Sequence, residues 1–405
     1  MKKFTKLTAV LMAVAMLLSV AGCGTTSNVD ADFKVGAVLL GDENEGYTYA
    51  HIKGIKEAAE SLGLSEDQVI WKYTIPEDEK CADAAVDLAD QGCDIIFSNS
   101  YGHQSYIQEV AKEFPEIQFV AMTGDTAAAS GLENLSNAFT NVYESRYVSG
   151  VVAGLKVKEL LDAGEIPETA YDADGNIKIG YVGAYPYSEV VSGFTAFYLG
   201  IKSVVENVVM SVSYTNSWFD ITAEGEAAKA LMAEGCVIIG QHADSTGAPA
   251  AVEAAYATGN VAYSVGYNVD MLSVAPNVAL TSATNVWKVY YKYAMEAAMK
   301  GEKVVVDWAK GYADGAVEIT ELGTACAEGT AEKVKEVEEA IKDGSLKVFN
   351  TANFTVGGKT LDSYTDAFGM NGQEAISDGY FHESELRSAP YFDIRIDGIT
   401  ELNAK

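Results

Sequence analysis

The chain has 405 residues, more than one hydrophobic core ordinarily supports, so two domains are the default expectation. Its 58 acidic residues against 28 basic ones leave a net charge of −30, which repels nucleic acid and anionic lipid and disfavours a polyanionic ligand. Four histidines with no pair at helix-compatible metal spacing, and five cysteines without a CxxC, argue against a catalytic zinc site and a disulfide framework.

In chain order, Lys2, Lys3 and Lys6 precede a short apolar run at 8–21. That run is too short to span a bilayer and has the form of a secretory signal over 1–22. It ends in Leu18-Ser19-Val20-Ala21-Gly22-Cys23, small residues before a lone cysteine, which resembles a bacterial lipoprotein signal. The expectation is a lipid on Cys23, a flexible polar tether over 23–33, and a protein held at the outer face of the cell membrane by its anchor alone. The folded part opens with an apolar strand at 33–40 (FKVGAVLL), a polar stretch, and an amphipathic helix from about 50 to 61. A strand at 69–73, a helix at 78–90, the strand CDIIF at 93–97, a helix at 105–112 and the strand IQFVAM at 117–122 follow. Apolar strands alternating with helices of this length indicate parallel βαβ units.

The pattern restarts at 178–182 (KIGYV), with a helix at 190–204, strands at 208–214 and 237–239, and a helix at 224–233 between them. DQGCDIIFSNS in the first half is echoed by AEGCVIIGQHA in the second. Two similar α/β halves, each Rossmann-like, account for this better than one large sheet. Cys93 and Cys236 each follow a glycine and open an apolar run, the setting of a small buried hydrophobe. Between the halves DADGN resembles a calcium loop only superficially, since its glycine is misplaced and no acid closes it; a turn is expected. A helix at 330–342 and short β-like pieces end the chain.

Ligands of open parallel sheets collect at the carboxyl ends of the strands. That rule selects Asn44 and Tyr47 after the first strand, with His51 on the turn beyond, and Asn99 and Tyr101 after CDIIF. In the second half it selects Trp218, Phe219, Asp220, His242, Asp244, Tyr267 and Asp270, and Trp287 is a further candidate. Aromatics, amides and carboxylates, with few arginines or lysines, suit a planar, uncharged, hydrogen-bonding ligand. Several positions also admit a structural reading. Asp220 and Asp270 are placed to cap helices or turns, Trp218 and Phe219 to pack an elbow, Trp287 to pack a hinge, and Arg146 to form a buried ion pair. No GxGxxG, P-loop, GxSxG or HExxH occurs, so no cofactor, metal or catalytic residue is expected.

With these residues in view, the chain resembles the basic membrane protein family of substrate-binding lipoproteins, the purine-nucleoside receptors of ABC importers. Asn44, Tyr47, Thr48 and Gly54 stand where the family has its opening D-x-x-F-N and a helix glycine. Gly266-Tyr267-Asn268-Val269-Asp270 corresponds to its G-x-D-x-D, and Leu280-Thr281-Ser282 to its L-T-S. The resemblance implies a type I periplasmic-binding-protein fold with the ligand between two lobes. It implies a monomer that hands a purine base or nucleoside to permease subunits, with a sugar or signalling-molecule receptor as the alternative. The lobes are expected at 34–141 plus 272–303, and at 142–271 plus 304–405. Two departures matter: Asn285 replaces the family's lysine three residues after L-T-S, and Asn268 replaces the first carboxylate of G-x-D-x-D. Both losses remove ribose contacts, which leaves a purine expected and its sugar open, with a free base or another heterocycle as the form such a branch would take.

Overall fold

The computed structural model describes residues 31–404; the expected signal at 1–22 and the acylation site Cys23 lie outside the described residues. Among the described residues no helix is long and apolar enough to cross a membrane.

Two parallel sheets organise the chain. The first contains β1 (Val35–Val38), β2 (Val69–Lys72), β3 (Ile95–Ser98), β4 (Gln118–Met122), β5 (Leu135–Thr140) and a later strand, β11 (Asp307–Lys310), in the order β11-β5-β4-β3-β1-β2. The second is built from β6 (Ile177–Gly183), β7 (Val208–Tyr214), β8 (Ile238–Gln241), β9 (Tyr263–Tyr267), β10 (Ala279–Asn285), β12 (Val317–Ile319) and β15 (Ile399–Glu401). Its order is β12-β10-β9-β8-β6-β7-β15, and β12 alone runs antiparallel. A two-stranded hairpin, β13 (Ile376–Ser377) with β14 (Tyr380–Phe381), stands apart. The protein is thus α/β with two lobes. β3 and β8 hold the same place in their sheets, which explains the GCDII and GCVII echo. Helices cover both faces, so β1 and β3 are buried at every position and read as unbroken apolar runs. Cys93 and Cys236 are buried and, with Cys81 and Cys326, unpaired. The DADGN run is a turn in which Asp172 accepts from the backbone N–H groups of Asp174 and Asn176.

The chain passes between the lobes three times. It leaves the first sheet after β5 and enters the long helix Val142–Ala163 of the second lobe. It returns after β10, through Trp287 into the helix Lys288–Met299, which packs on the helix Gly46–Leu62 and leads to β11. It crosses again to β12. Gly54 permits the helix contact, because a Cβ there would lie 2.8 Å from Cβ of Trp287.

Two expected boundaries therefore move. Residues 272–285 belong to the second lobe, where Leu280-Thr281-Ser282 lies in β10 beside β9; the return begins after Asn285. Residues 307–310, expected in the second lobe, are an edge strand of the first sheet. The small, mixed residues of β10 (ALTSATN) would suit either sheet, and only its ladder with β9 decides between them.

Candidate ligand-binding cleft

A narrow cleft, about 30 Å³ in cavity volume, lies between the carboxyl ends of the two sheets. The first lobe contributes Leu40, Glu45, Tyr47, Ser100, Tyr101 and Thr123. The second contributes Glu189, Trp218, Asp244 and Tyr267. The lining holds four aromatic rings and three carboxylates and no basic side chain.

Each ring is held by its own lobe. Tyr47 sits on the first turn of the helix Gly46–Leu62 and donates its hydroxyl to the Asn99 carbonyl. The Asn99 amide accepts from the Leu40 N–H at 2.8 Å and donates to the Thr48 hydroxyl at 3.2 Å, fixing the loop that presents Tyr47. Thr123 follows β4 with φ 61°, a conformation rarely adopted by a β-branched residue, and its N–H donates to the Ala138 carbonyl at 2.8 Å. Across the cleft, Trp218 meets Tyr185 edge-on with ring centroids 5.3 Å apart. Behind Tyr267 the guanidinium of buried Arg146 lies 3.7 Å from the ring centroid and donates from Nη1 to the Gln241 carbonyl at 2.5 Å. Arg146 forms no ion pair among the described residues; a cation stacked on a ring replaces the expected salt bridge.

The acids are electrostatically crowded. Burial pushes the Glu189 carboxyl up to about 7, against the opposing pull of Arg146. Burial, reinforced by the negative charges of Glu45, Glu224 and Glu189, holds Asp244 well above the usual carboxylate range. Glu45 is also raised by burial, although it accepts from the Thr48 hydroxyl. Asp244 accepts from the Asn268 amide at 2.7 Å. Glu189 faces Nε2 of His242 at 3.3 Å, and burial keeps that imidazole neutral by lowering its pKa well below the ordinary value. Such a cleft favours N–H donors from a ring and repels anions.

Of the residues selected from the sequence, Tyr47, Tyr101, Trp218, Asp244 and Tyr267 line the cleft. Asn99 and His242 stand directly behind it as supports. The remaining six lie elsewhere. Asn44 is exposed and donates to Asp42. His51 is fully buried behind Tyr47, stacks on Trp287 at 4.4 Å, and has its pKa lowered to about 3 by burial. Trp287 is buried in that packing and not in the lining. Phe219 is exposed beside the cleft. Asp220 accepts from the Ala223 N–H at 2.9 Å as the cap of the helix Ile221–Ala233, and Asp270 accepts from the Leu272 N–H at 2.8 Å in an exposed turn. Short carboxylates at strand ends satisfy nearby backbone donors before they reach a ligand, which is why both fall outside. Asp220→Ala should cost about 1 kcal/mol of stability in urea denaturation and leave ligand affinity unchanged.

Sequence reasoning missed Glu45 and Glu189. Glu45 stands inside the polar run after β1, between Asn44 and Tyr47. Glu189 is on the first turn of the helix Ser188–Lys202, two residues past the loop after β6. A helix first turn beyond a strand end was the available signal.

Residues 40–350 match the family described as ABC transporter substrate-binding protein, PnrA-like. A purine-binding protein of Brucella abortus is 31% identical over 337 residues, covering 82% of this chain and 88% of its own. An ABC-transporter protein of Haloferax volcanii whose name assigns it provisionally to glucose is 28% identical, covering 76% of this chain and 72% of its own. Among solved structures, a solute-binding protein of Aeropyrum pernix aligns with a TM-score of 0.64 at 17% identity, covering 78% of this chain and 93% of that one. One from Conexibacter woesei aligns at 0.61 and 19%, covering 78% and 98%. These structural likenesses establish the two-lobed fold of periplasmic binding proteins. The chain belongs to the Bmp family of PnrA-like ABC transporter substrate-binding proteins, an extracytoplasmic solute-binding family that works with ABC permeases.

Proposed function

We propose that this protein is the receptor of an ABC importer for a purine base, held at the outer face of the membrane through Cys23 and delivering its ligand as a monomer. The acid-lined aromatic cleft carries this reading. Tyr47 and Tyr101 on one wall and Trp218 and Tyr267 on the other supply stacking surface, while Glu189, Asp244 and Glu45 accept ring and exocyclic N–H groups. The relative named for purine binding supports the same class. The positions that differ from the family's ribose-binding pattern are occupied by their own network. Asn268 donates to Asp244, Asn285 faces Asn268 at 3.3 Å, and Thr140 donates to Asn285. A ribose would have to break these bonds, so it adds little affinity.

A hexose is the second reading, because a relative's name points to glucose and carboxylates with aromatic rings also suit sugars. Calorimetry with adenine, guanine, hypoxanthine, their nucleosides, xanthine and glucose separates the two. The amino-substituted bases should bind best and about as well as their nucleosides. Xanthine, which carries partial negative charge near neutral pH, should bind more weakly by about tenfold or more, an increment of at least 1.4 kcal/mol. Binding of glucose but not bases would replace the purine reading. Nucleosides more than a hundredfold tighter than every base would mean that the ribose is gripped.

A further inference from the structure

A second compartment opens outward from the cleft, sharing Tyr101, Thr123, Glu189 and Trp218 with it. Its remaining walls come from three parts of the chain. Asp125 and Phe139 belong to the first lobe, Pro186 and Tyr187 to the second, and Phe368, Arg387 and Asp393 to the C-terminal segment.

That segment is rooted in the second lobe. Phe349, Phe381, Tyr391 and Phe392 are buried in the same apolar core as β6 and β7, with Phe349 and Phe392 stacked at 4.2 Å. Buried Glu383 accepts from the N–H groups of Tyr391 and Phe392 at 2.9 and 2.7 Å, pinning the chain as it turns. β15 then extends the second sheet beside β7.

Between these anchors the segment reaches the first lobe twice. The Ser388 N–H donates to the Asp307 carboxylate of β11 at 3.0 Å. Arg387 faces the Asp125 carboxylate at 3.5 Å, and both side chains are about 15% exposed. The guanidinium is aimed by its own turn, donating to the Ala389 and Pro390 carbonyls at 3.1 and 3.3 Å. Gly369, at φ 77°, leaves it room, because any Cβ there would overlap Nη1. Asp125 is held in turn, its N–H donating to the Gln104 side-chain oxygen at 2.9 Å. An ion pair of low exposure, with each partner positioned by further hydrogen bonds, is of the kind that contributes measurably.

We propose that the chain after residue 350 is part of the binding machinery. Residues 368–395 form the outer wall of the ligand cleft, and Arg387, paired with Asp125, is the positioning residue that keeps this wall closed on the first lobe. The three crossovers between the lobes act as hinges, so closure must be held at the far side of the cleft, where this pair stands. A ligand leaving the inner cleft passes the outer compartment, and the pair therefore governs residence time more than capture.

The test is Asp125→Asn, Arg387→Gln and the two combined, in the full-length protein, with two readouts. In stopped-flow measurements with adenine, each single variant should dissociate about three- to tenfold faster, with association changed by less than about twofold. The combined variant should be no faster than the faster single one, as expected of partners in one interaction. In small-angle scattering without ligand, Asp125→Asn should show a larger radius of gyration than the wild type. Unchanged dissociation in both single variants, or a loss carried equally by association, would overturn the latch. Should adenine fail to bind the wild type, the purine reading fails alone, and the ligand-free scattering comparison still decides the latch.

Discussion

Glu189→Gln should weaken binding of an amino-substituted purine by ten- to a hundredfold at pH 8, and it should also flatten the pH dependence of binding. Glu189 lines both compartments, and its nearest hydrogen-bonding neighbour is a neutral imidazole. A charge-assisted bond to a ligand N–H is worth about 1.5–3 kcal/mol, which sets the fold-change. The sign of the pH effect follows from the raised pKa of about 7 in the free protein. A carboxylate that must be ionised to accept from the ligand gives full affinity above about pH 8, and affinity falls as pH drops through 7. One proton changes affinity by at most about tenfold per pH unit, so binding at pH 5.5 should be roughly thirtyfold weaker than at pH 8. Asp244 and Glu45 face the same space and are also raised, Arg146 opposes the rise at Glu189 and Asp244, and His242, Tyr47 and Tyr267 stay neutral across this range. Calorimetry from pH 5.5 to 8.5 on both proteins checks the assignment. A Glu189→Gln protein that keeps the wild-type slope would refute it.

Gly200→Ala should destabilise the protein by about 3 kcal/mol or more without touching the cleft. The helices Val142–Ala163 and Ser188–Lys202 cross in the second lobe with Gly150 and Gly200 at the contact. A Cβ on Gly200 would overlap the Tyr147 carbonyl oxygen, and one on Gly150 would overlap that of Phe197. Both obstacles are backbone inside a regular helix, so no side chain can swing away and the helices must separate. Overpacking usually costs about 1–3 kcal/mol, and a backbone collision belongs at or beyond the top of that range. Gly150→Ala should cost a similar amount, while the double variant should cost less than the sum, because separated helices admit the second methyl more easily. Gly301→Ala provides the control. Its φ of 67° carries a backbone penalty of about 1–2 kcal/mol, with no atom within 4 Å of the added Cβ. Urea denaturation of the four variants gives the comparison; equal losses at positions 200 and 301 would refute the packing account.

The alternation of apolar runs and helices determined the two parallel sheets, and the strand-end rule by itself reached Tyr47, Tyr101, Trp218, Asp244 and Tyr267. Both are legible because buried parallel strands must be apolar throughout and because large rings in polar loops have few other places to go. The tertiary structure alone decided that Glu45 and Glu189 line the cleft and that Asp220 and Asp270 do not. Asp220 and Asp270 look like Glu45 and Glu189 in sequence, yet the first two satisfy backbone N–H groups within three residues while the second pair reaches the cleft. A carboxylate's partner depends on side-chain length and on what the opposite lobe brings near, and neither is local. The same holds for β10, whose small, mixed residues suit either sheet until β9 pairs with it, and for Arg146, whose partner proved to be the Tyr267 ring. The C-terminal segment shows it most clearly. Its irregular sequence has no periodicity to read, because its place is set by Phe392 and Tyr391 entering a distant core and by Arg387 meeting an acid on the other lobe.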